Sequence, residues 1–464
     1  MASLIRFEQL FQINFYKFIN DKEAIQLFKT CKTTYDNNYP NYKFQCEYSV
    51  EVFLTFMVNE KLRLGNNSFI PKLTHLIGLN IAVARKASFT KTLKLNKSLT
   101  TINLDNNQIR DSNIVSLAKA LKVNRSVTIL DLYCNQIGDS GITLLAKALE
   151  VNKGVTTINL GSNQIGNSGA SSLAKALEVN DTLSTINLYN NQIGNLGAYS
   201  LAKALEMNKS VTSINLEWNE IKDSGVSSLA KALEINRDVR IIKLAFNGVG
   251  ALGASSYAKA LEVNHTVAII HLGFNQLGIA GVSSAKALEV NNSVTTVHLP
   301  SSAIGVSGAS LLAKALEVNN SVTTIDLGSN GLGDLGVSLL AKALEVNNSV
   351  ITVCLAFNFF GDTGTFSLAK ALAVNNSITA INLKNNQIGY LGAALLAKAL
   401  EVNQKVTSIY LDNNKIGTSG VSSLTTALEV NKTLTTLTVR SNQIEEDLVV
   451  ALLTKALLVN RSKK

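Results

Sequence analysis

A pattern of 28 residues returns thirteen times along this 464-residue chain, and no other feature constrains the fold as tightly. From about residue 97 the sequence cycles through V-T-T-I-N-L-G-S-N-Q-I-G-x-S-G-A-S-S-L-A-K-A-L-E-V-N. The Asn closing each L-x-x-N falls at Asn107, Asn135, Asn163, Asn191, Asn219, Asn247 and Asn275, then Ser302 takes its place, then Asn330, Asn358, Asn386, Asn414 and Asn442 follow. Every step is 28 residues except one of 27, just before Ser302. A degenerate half-copy, FTKTLKLNKS at 89–98, precedes the first. Length alone would suggest about three domains; a repeat this strict replaces that estimate with one stacked architecture.

Each segment of the repeat has a physical role. In Val155–Leu160, Ile158 and Leu160 alternate with polar residues, which predicts a short strand. Asn163 follows where the chain turns away, and a buried amide there can satisfy backbone groups the turn leaves unpaired, forming an Asn ladder. Gly166 and Gly169 allow the bend and a close approach of the next segment. Ala170, Leu173, Ala174 and Leu177 lie at i, i+3, i+4 and i+7, the apolar face of a helix. Asn180 ends that helix, with a left-handed conformation expected. One unit cannot bury its own apolar face, but stacked copies share a continuous core. The expected fold is a right-handed α/β solenoid, a horseshoe with thirteen parallel strands on the concave side and helices on the convex side.

The L-x-x-L-x-L-x-x-N-x-I signature, seen in LDLYCNQI (130–137) and INLYNNQI (186–193), resembles the leucine-rich repeats of the ribonuclease-inhibitor subclass. The resemblance covers about 80% of the chain, residues 76–464, and implies a protein-binding scaffold without identifying its partner. Ribonuclease inhibitors are acidic and Cys-rich, whereas this chain has four Cys and a net charge of +10. Ran GTPase-activating proteins share the repeat subclass, so a GTPase regulator is a further reading; their acidic tail is replaced here by RSKK. The nucleotide-binding module of NOD-like receptors is absent.

Residues 1–75 are different material, holding half of the aromatic residues and no repeat. A small, mostly helical cap over the first repeat is expected there. The stretch FYKFINDKEAIQLFKTCKTTYDN (15–37) also resembles the later part of an F-box, through Asp21, Ile25, Phe28, Cys31, Lys32 and Tyr35. That resemblance implies docking of a ubiquitin-ligase adaptor through residues 1–40, with the horseshoe holding a substrate. The opening Leu-Pro of that family is missing, and Tyr35 stands where Trp is usual.

Catalytic signatures are wanting. There is no GxxxxGK[ST], HExxH, EF-hand loop or GxSxG. SxxK occurs at Ser172–Lys175, but it recurs at Ser116, Ser200 and Ser228 because the repeat itself contains SLAK. A motif copied along a convex surface has no cleft to work in. Lys175–Glu178 and Lys203–Glu206 read as a solvated charge face. The four Cys never form CxxC, and Asn-x-Ser/Thr at the helix ends reads as terminator plus lead-in, not as glycosylation. Apolar runs stay short of a membrane span and the N-terminus lacks a secretory pattern. A non-enzymatic, cofactor-free, cytoplasmic protein is expected.

In a solenoid the inner-face strand positions are free of the core, so a ligand site can be written there. Four residues before the key Asn the chain reads Asn103, Asp131, Asn159, Asn187 and Asn215. It then departs to Lys243, His271, His298, Asp326 and Cys354 before returning to Asn382, Tyr410 and Thr438. Immediately before the key Asn stand Trp218, Phe246 and Phe274, with Phe357 later. Aromatics beside a polar row resemble an interface hot spot, so Trp218, Lys243, Phe246, His271, Phe274, His298, Asp326 and Phe357 are the candidate partner-binding residues. The bland alternative is drift, with the rings tucked under the loop. Two histidines without a third ligand do not make a metal site, and Lys243 with two largely neutral histidines makes a poor nucleic-acid surface. The seventh copy, GVSSAKALEV at 281–290, lacks its core Leu; Pro300 is expected in the next strand, unable to donate to the ladder, and Ser302 replaces the Asn.

Overall fold

The computed structural model describes residues 75–77, 93–94, 96–278 and 283–444. Thirteen strands from β2 (Thr101–Asn103) to β14 (Thr436–Thr438) join β1 (His75–Ile77) in one sheet. They lie in sequential order, each parallel to the next. Every strand is three residues long, and successive strands from β2 onward are joined through one helix. The result is an open α/β solenoid, parallel sheet on the inner side and helices on the outer. Twelve helices run from α1 (Asp111–Leu121) to α12 (Gly417–Val430) among the described residues.

From β2 to β14 the centre of each strand is buried and its flanks half-buried, as in Thr157–Asn159, save that Ile129 in β3 (Ile129–Asp131) is exposed. Behind the sheet, α3 (Asn167–Val179) turns Ala170, Leu173, Ala174, Ala176 and Leu177 inward. Small Ala residues let neighbouring helices approach, and each Leu fully buried adds about 1.5–3 kcal/mol. Strand centres, loop Leu and Ile residues and helix faces form one continuous apolar cluster from Leu93 to Val439.

Two Asn ladders tie the copies together. Asn163 Nδ2 donates to the carbonyl oxygens of Leu132 (3.0 Å), Leu160 (3.0 Å) and Gly161 (3.1 Å), and its Oδ1 accepts the Ile137 amide (3.0 Å). The second ladder is built by the Asn that ends each helix. Asn180 Nδ2 donates to Leu149 O (2.7 Å) and Asn152 O (3.0 Å), while its Oδ1 accepts the amides of Thr182 (3.1 Å) and Leu183 (2.8 Å). This corrects the expectation of a left-handed Asn180: its backbone is extended, with φ −86° and ψ 121°. The side chain caps both its own turn and the preceding copy, so no left-handed turn is needed. A third tie links Asp139 Oδ1 to the Gly166 amide of the next copy (2.7 Å). A Cβ at Gly169 would come within 2.6 Å of that same oxygen, so glycine is required there by close approach.

The sheet begins one strand before the thirteen copies. His75–Ile77 pairs with Thr101–Asn103, and Asn124 Nδ2 donates to Leu93 O and Asn96 O, as its counterparts do downstream. The half-copy at 89–98 therefore supplies the helix end of a fourteenth unit. Sequence reading missed its strand because Ile77 and Ile81 occupy the places of the two Asn residues. Apart from His75, the expected cap or F-box-like segment lies outside the described residues.

At the seventh copy the described part of α7 is Ser283–Val290, between α6 (Ala251–Val263) and α8 (Gly305–Val318), and the sequence of this copy is one residue short. The copy before it carries Tyr257 where its neighbours have Leu, fully buried in the shared core beside the helix that lost its Leu. The Tyr257 hydroxyl has no hydrogen-bond partner among the described residues. Ser302 is too short to repeat the Asn contacts; its hydroxyl donates to Pro300 O at 3.2 Å.

Pro300 is not in a strand: β9 (Thr296–His298) ends two residues earlier. In other copies the amide at this place bonds within its own turn, as Gly161 N does to Asn159 Oδ1 (3.2 Å) and Tyr189 N to Asn187 Oδ1 (3.0 Å). His298 offers no such acceptor, so the missing N–H of proline leaves no ladder bond unmade.

Candidate functional site

The residue before the key Asn has a positive φ, between 50° and 58°, in all thirteen copies. Asn tolerates this left-handed bend because its short polar side chain bonds locally; a bulky side chain there costs roughly 1–2 kcal/mol. Four copies use Asn, four use Ser and one uses Cys, but Trp218, Phe246, Phe274 and Phe357 occupy the other four. The rings are not tucked under the loop. Trp218, Phe274 and Phe357 are 46%, 42% and 50% exposed. Phe246 is half-buried because it is stacked on both sides, 4.1 Å from Trp218 and 4.2 Å from Phe274 between ring centroids. Phe357 sits in the same column but is separated from Phe274 by Ser301 and Ser329, and stands outside the stack.

The polar row lies beside this column in strict register. Lys243 pairs with His271, His271 with His298, and His298 with Asp326, across β7 (Ile241–Lys243), β8 (Ile269–His271), β9 and β10 (Thr324–Asp326). The two imidazoles stack 4.3 Å apart at 8°. His298 Nδ1 is 3.1 Å from Asp326 Oδ2. His271 Nδ1 is 3.1 Å from Glu217 Oε1, an ion-pair distance, yet lies off the direction that a hydrogen bond requires. Burial pushes the Glu217 carboxyl up, but His271 and Lys243 outweigh it and hold it below the usual carboxylate range. Asp326 behaves alike: burial raises it, while His298 and the Gly328 amide bring it lower. Burial, reinforced by Asp326, pushes the neighbouring Cys354 thiol up to about 12, which keeps it protonated and inert.

Sequence reading missed a third column, two residues before the key Asn. In copies six to ten it reads Ala245, Gly273, Pro300, Gly328 and Ala356, all buried, while Glu217 closes one end and Lys384 the other. A Cβ at Gly273 would stand 2.5 Å from Pro300 Cδ, so glycine is imposed there by its neighbour. The column forms a low floor between the polar row and the aromatic column. The signal was available in the same repeat alignment, as five successive small or ring-closed residues where the other copies, apart from Gly161 in copy three, carry Tyr, Asp, Glu, Lys or Arg. Also missed was a second polar cluster near the C-terminal end. There Lys384 Nζ is 2.8 Å from Asp412 Oδ2 and 5.1 Å from the Tyr410 ring centre. Asp412 also accepts from Thr438 Oγ1 (2.7 Å) and the Arg440 amide (2.9 Å). Burial raises the Asp412 carboxyl, but Lys384, Thr438 and the Arg440 amide overcome it and leave it lowered.

On the outer face, Lys203 and Glu206 form the expected ion pair at 2.9 Å. No three His, Cys, Asp or Glu side chains are grouped to hold a metal ion among the described residues. No helix among them is long and apolar enough to cross a membrane.

Comparison with known proteins bears on the repeat. The family described as the TMOD/LMOD leucine-rich domain matches residues 86–199. The family described as Leucine Rich repeat matches residues 208–230, 318–341, 374–397 and 402–424. No curated protein matches the sequence. Among solved structures, actin-binding site 2 of leiomodin-1 is similar over 27% of this chain and 75% of its own, at 27% identity and TM-score 0.26. Rad7, in the yeast Rad7–Elc1 complex, aligns over 92% of this chain and 100% of its own, at 13% identity and TM-score 0.48. The tropomodulin C-terminal domain of Caenorhabditis elegans aligns over 28% and 78%, at 19% identity and TM-score 0.25.

Proposed function

Because the chain is a leucine-rich-repeat protein, we propose that it is a non-enzymatic scaffold that binds a partner protein on the inner face of copies five to ten. Trp218, Lys243, Phe246, His271, Phe274, His298, Asp326 and Phe357 would carry the contact. The observation behind this reading is four aromatics held in a left-handed bend that favours Asn, three of them exposed and Phe246 half-buried in the stack. Side chains kept where they strain the backbone and gain little burial are best explained by something they bind. Exposed rings beside charged groups also have the composition of energetic centres in interfaces.

The test is affinity capture with the full chain, repeated with the Trp218→Ala/Phe246→Ala double variant. The double variant should lose about 2 kcal/mol or more of partner binding with thermal stability essentially unchanged. Lys175→Ala on the outer face should alter neither. If the double variant unfolds the protein, or captures the same partners equally well, the rings are packing elements and the reading falls.

A further inference from the structure

The chain as a whole is basic, at +10, but its inner face is not. Among the strand flanks and turn residues of the thirteen copies stand five carboxylates, Asp105, Asp131, Glu217, Asp326 and Asp412, against three cations, Lys243, Lys384 and Arg440. Two of those cations lie in copies eleven and thirteen. Copies one to nine therefore hold Asp105, Asp131, Glu217 and Asp326 against Lys243 alone. The positive excess sits elsewhere on the chain.

We propose, building on the inner-face reading above, that copies one to nine seat a basic segment of the partner, bearing Lys or Arg, and that protonation of His271 and His298 weakens its hold. Two features of the face recognise such a segment. Carboxylates attract its charge, and the exposed rings of Trp218 and Phe274 can attract a cation. A nucleic acid fits poorly, because the rings are already stacked on one another at 4.1 and 4.2 Å and leave no slot for a base. The carboxylates would also repel its phosphates.

The release follows from what surrounds the imidazole pair. Glu217 faces His271 from the turn of copy five, and Lys243 flanks it on the adjacent strand. Asp326 faces His298 from β10, with Cys354 beyond it. Glu217 and Asp326 are held below the ordinary carboxylate range and the Cys354 thiol is pushed up to about 12. None of the three therefore changes charge between neutral and mildly acidic pH, the interval in which histidine as a residue type changes its charge. With both imidazoles neutral, Glu217, Lys243, His271, His298 and Asp326 together carry one net negative charge; with both protonated they carry one net positive charge. Acidification thus turns the stretch from Glu217 to Asp326 from net negative to net positive and cuts the charge of copies one to nine from three net negative charges to one.

The nine copies span about eight strand spacings, which an extended peptide of about twelve residues covers. The probe is accordingly a displayed library of random peptides of that length, selected on the full chain at about pH 7.5 and again at about pH 5.5. Peptides recovered at the higher pH should be rich in Lys and Arg. A histidine-free member should bind roughly tenfold more weakly at the lower pH. His271→Gln/His298→Gln should abolish that pH dependence. Recovery of neutral or acidic peptides that need Trp218 and Phe246 overturns the basic-segment proposal and leaves the inner-face reading standing. Peptides that bind the Trp218→Ala/Phe246→Ala variant as well as the wild type overturn both. Tighter binding of a single-stranded oligonucleotide than of any recovered peptide also overturns the proposal, in favour of nucleic acid.

Discussion

In copies three to five, Asn159, Asn187 and Asn215 each close their own turn by accepting an amide two residues on. In copies six to eight, Lys243, His271 and His298 stand in those places and the bond is gone, on a backbone of the same register. The default Asn is therefore a structural residue, and replacing it forgoes a turn bond of about 1 kcal/mol in each copy. Copies six and seven add a large ring in a left-handed bend, and copy seven a helix sequence that lacks its core Leu. Three local preferences are broken together in one stretch, which is where natural proteins tend to place function. The regular copies show what the backbone wants when nothing else is asked of it.

The largest effect expected from this contrast lies in the regular region. Asn191→Ala removes donations to Leu160 O, Leu188 O and Tyr189 O and the acceptor for the Ile165 amide. With buried groups left unmatched, chemical denaturation should show a loss of about 3 kcal/mol. A loss near zero would mean that water replaces the ladder, and the Ser302 copy would then be no weaker than its neighbours.

Next in size is the joint itself. Residues 276–304 combine the one-residue deletion that removes the core Leu with the Ser302 substitution, next to the buried Tyr257 with its unpartnered hydroxyl. Hydrogen exchange should find their amides opening about 2 kcal/mol more easily than those of copies three to five. Equal protection on both sides would remove the distinction between the two regions.

The smallest effect is a gain. Lys243→Asn would return an acceptor to the Ala245 amide and should stabilise the fold by about 1 kcal/mol in a thermal melt. A loss of stability would show instead that Lys243 serves the fold, through its electrostatic contact with Glu217, and that the departure from Asn is structural.

Much of this was legible without coordinates. The period, the alternation around Ile158 and the i, i+3, i+4, i+7 face of Ala170–Leu177 specify strand, turn and helix in every copy, because local pattern and neighbour stacking agree throughout. The same alignment exposed the departures at Lys243, His271, His298 and Trp218. It could not show the backbone each residue would occupy. That the aromatics sit at positive φ, that Asn180 is extended, and that Pro300 leaves no ladder bond unmade depend on hydrogen bonds between residues 26 to 31 positions apart. The fourteenth strand was illegible for a related reason: His75–Ile77 lacks the Asn signature and is recruited by pairing with Thr101–Asn103.

The sequence by itself determined the repeat, its element types and the column in which variation is free, since these follow from periodicity and from the need of each copy to bury its face against the next. Only the tertiary structure decided that Glu217, two residues past the end of its own strand, meets His271 two copies later, and that His298 is held by Asp326 from the other side. Stacking at a fixed strand spacing brings residues of separate copies to within about 3 Å, and which side chains then face each other depends on turn geometry that no single copy specifies.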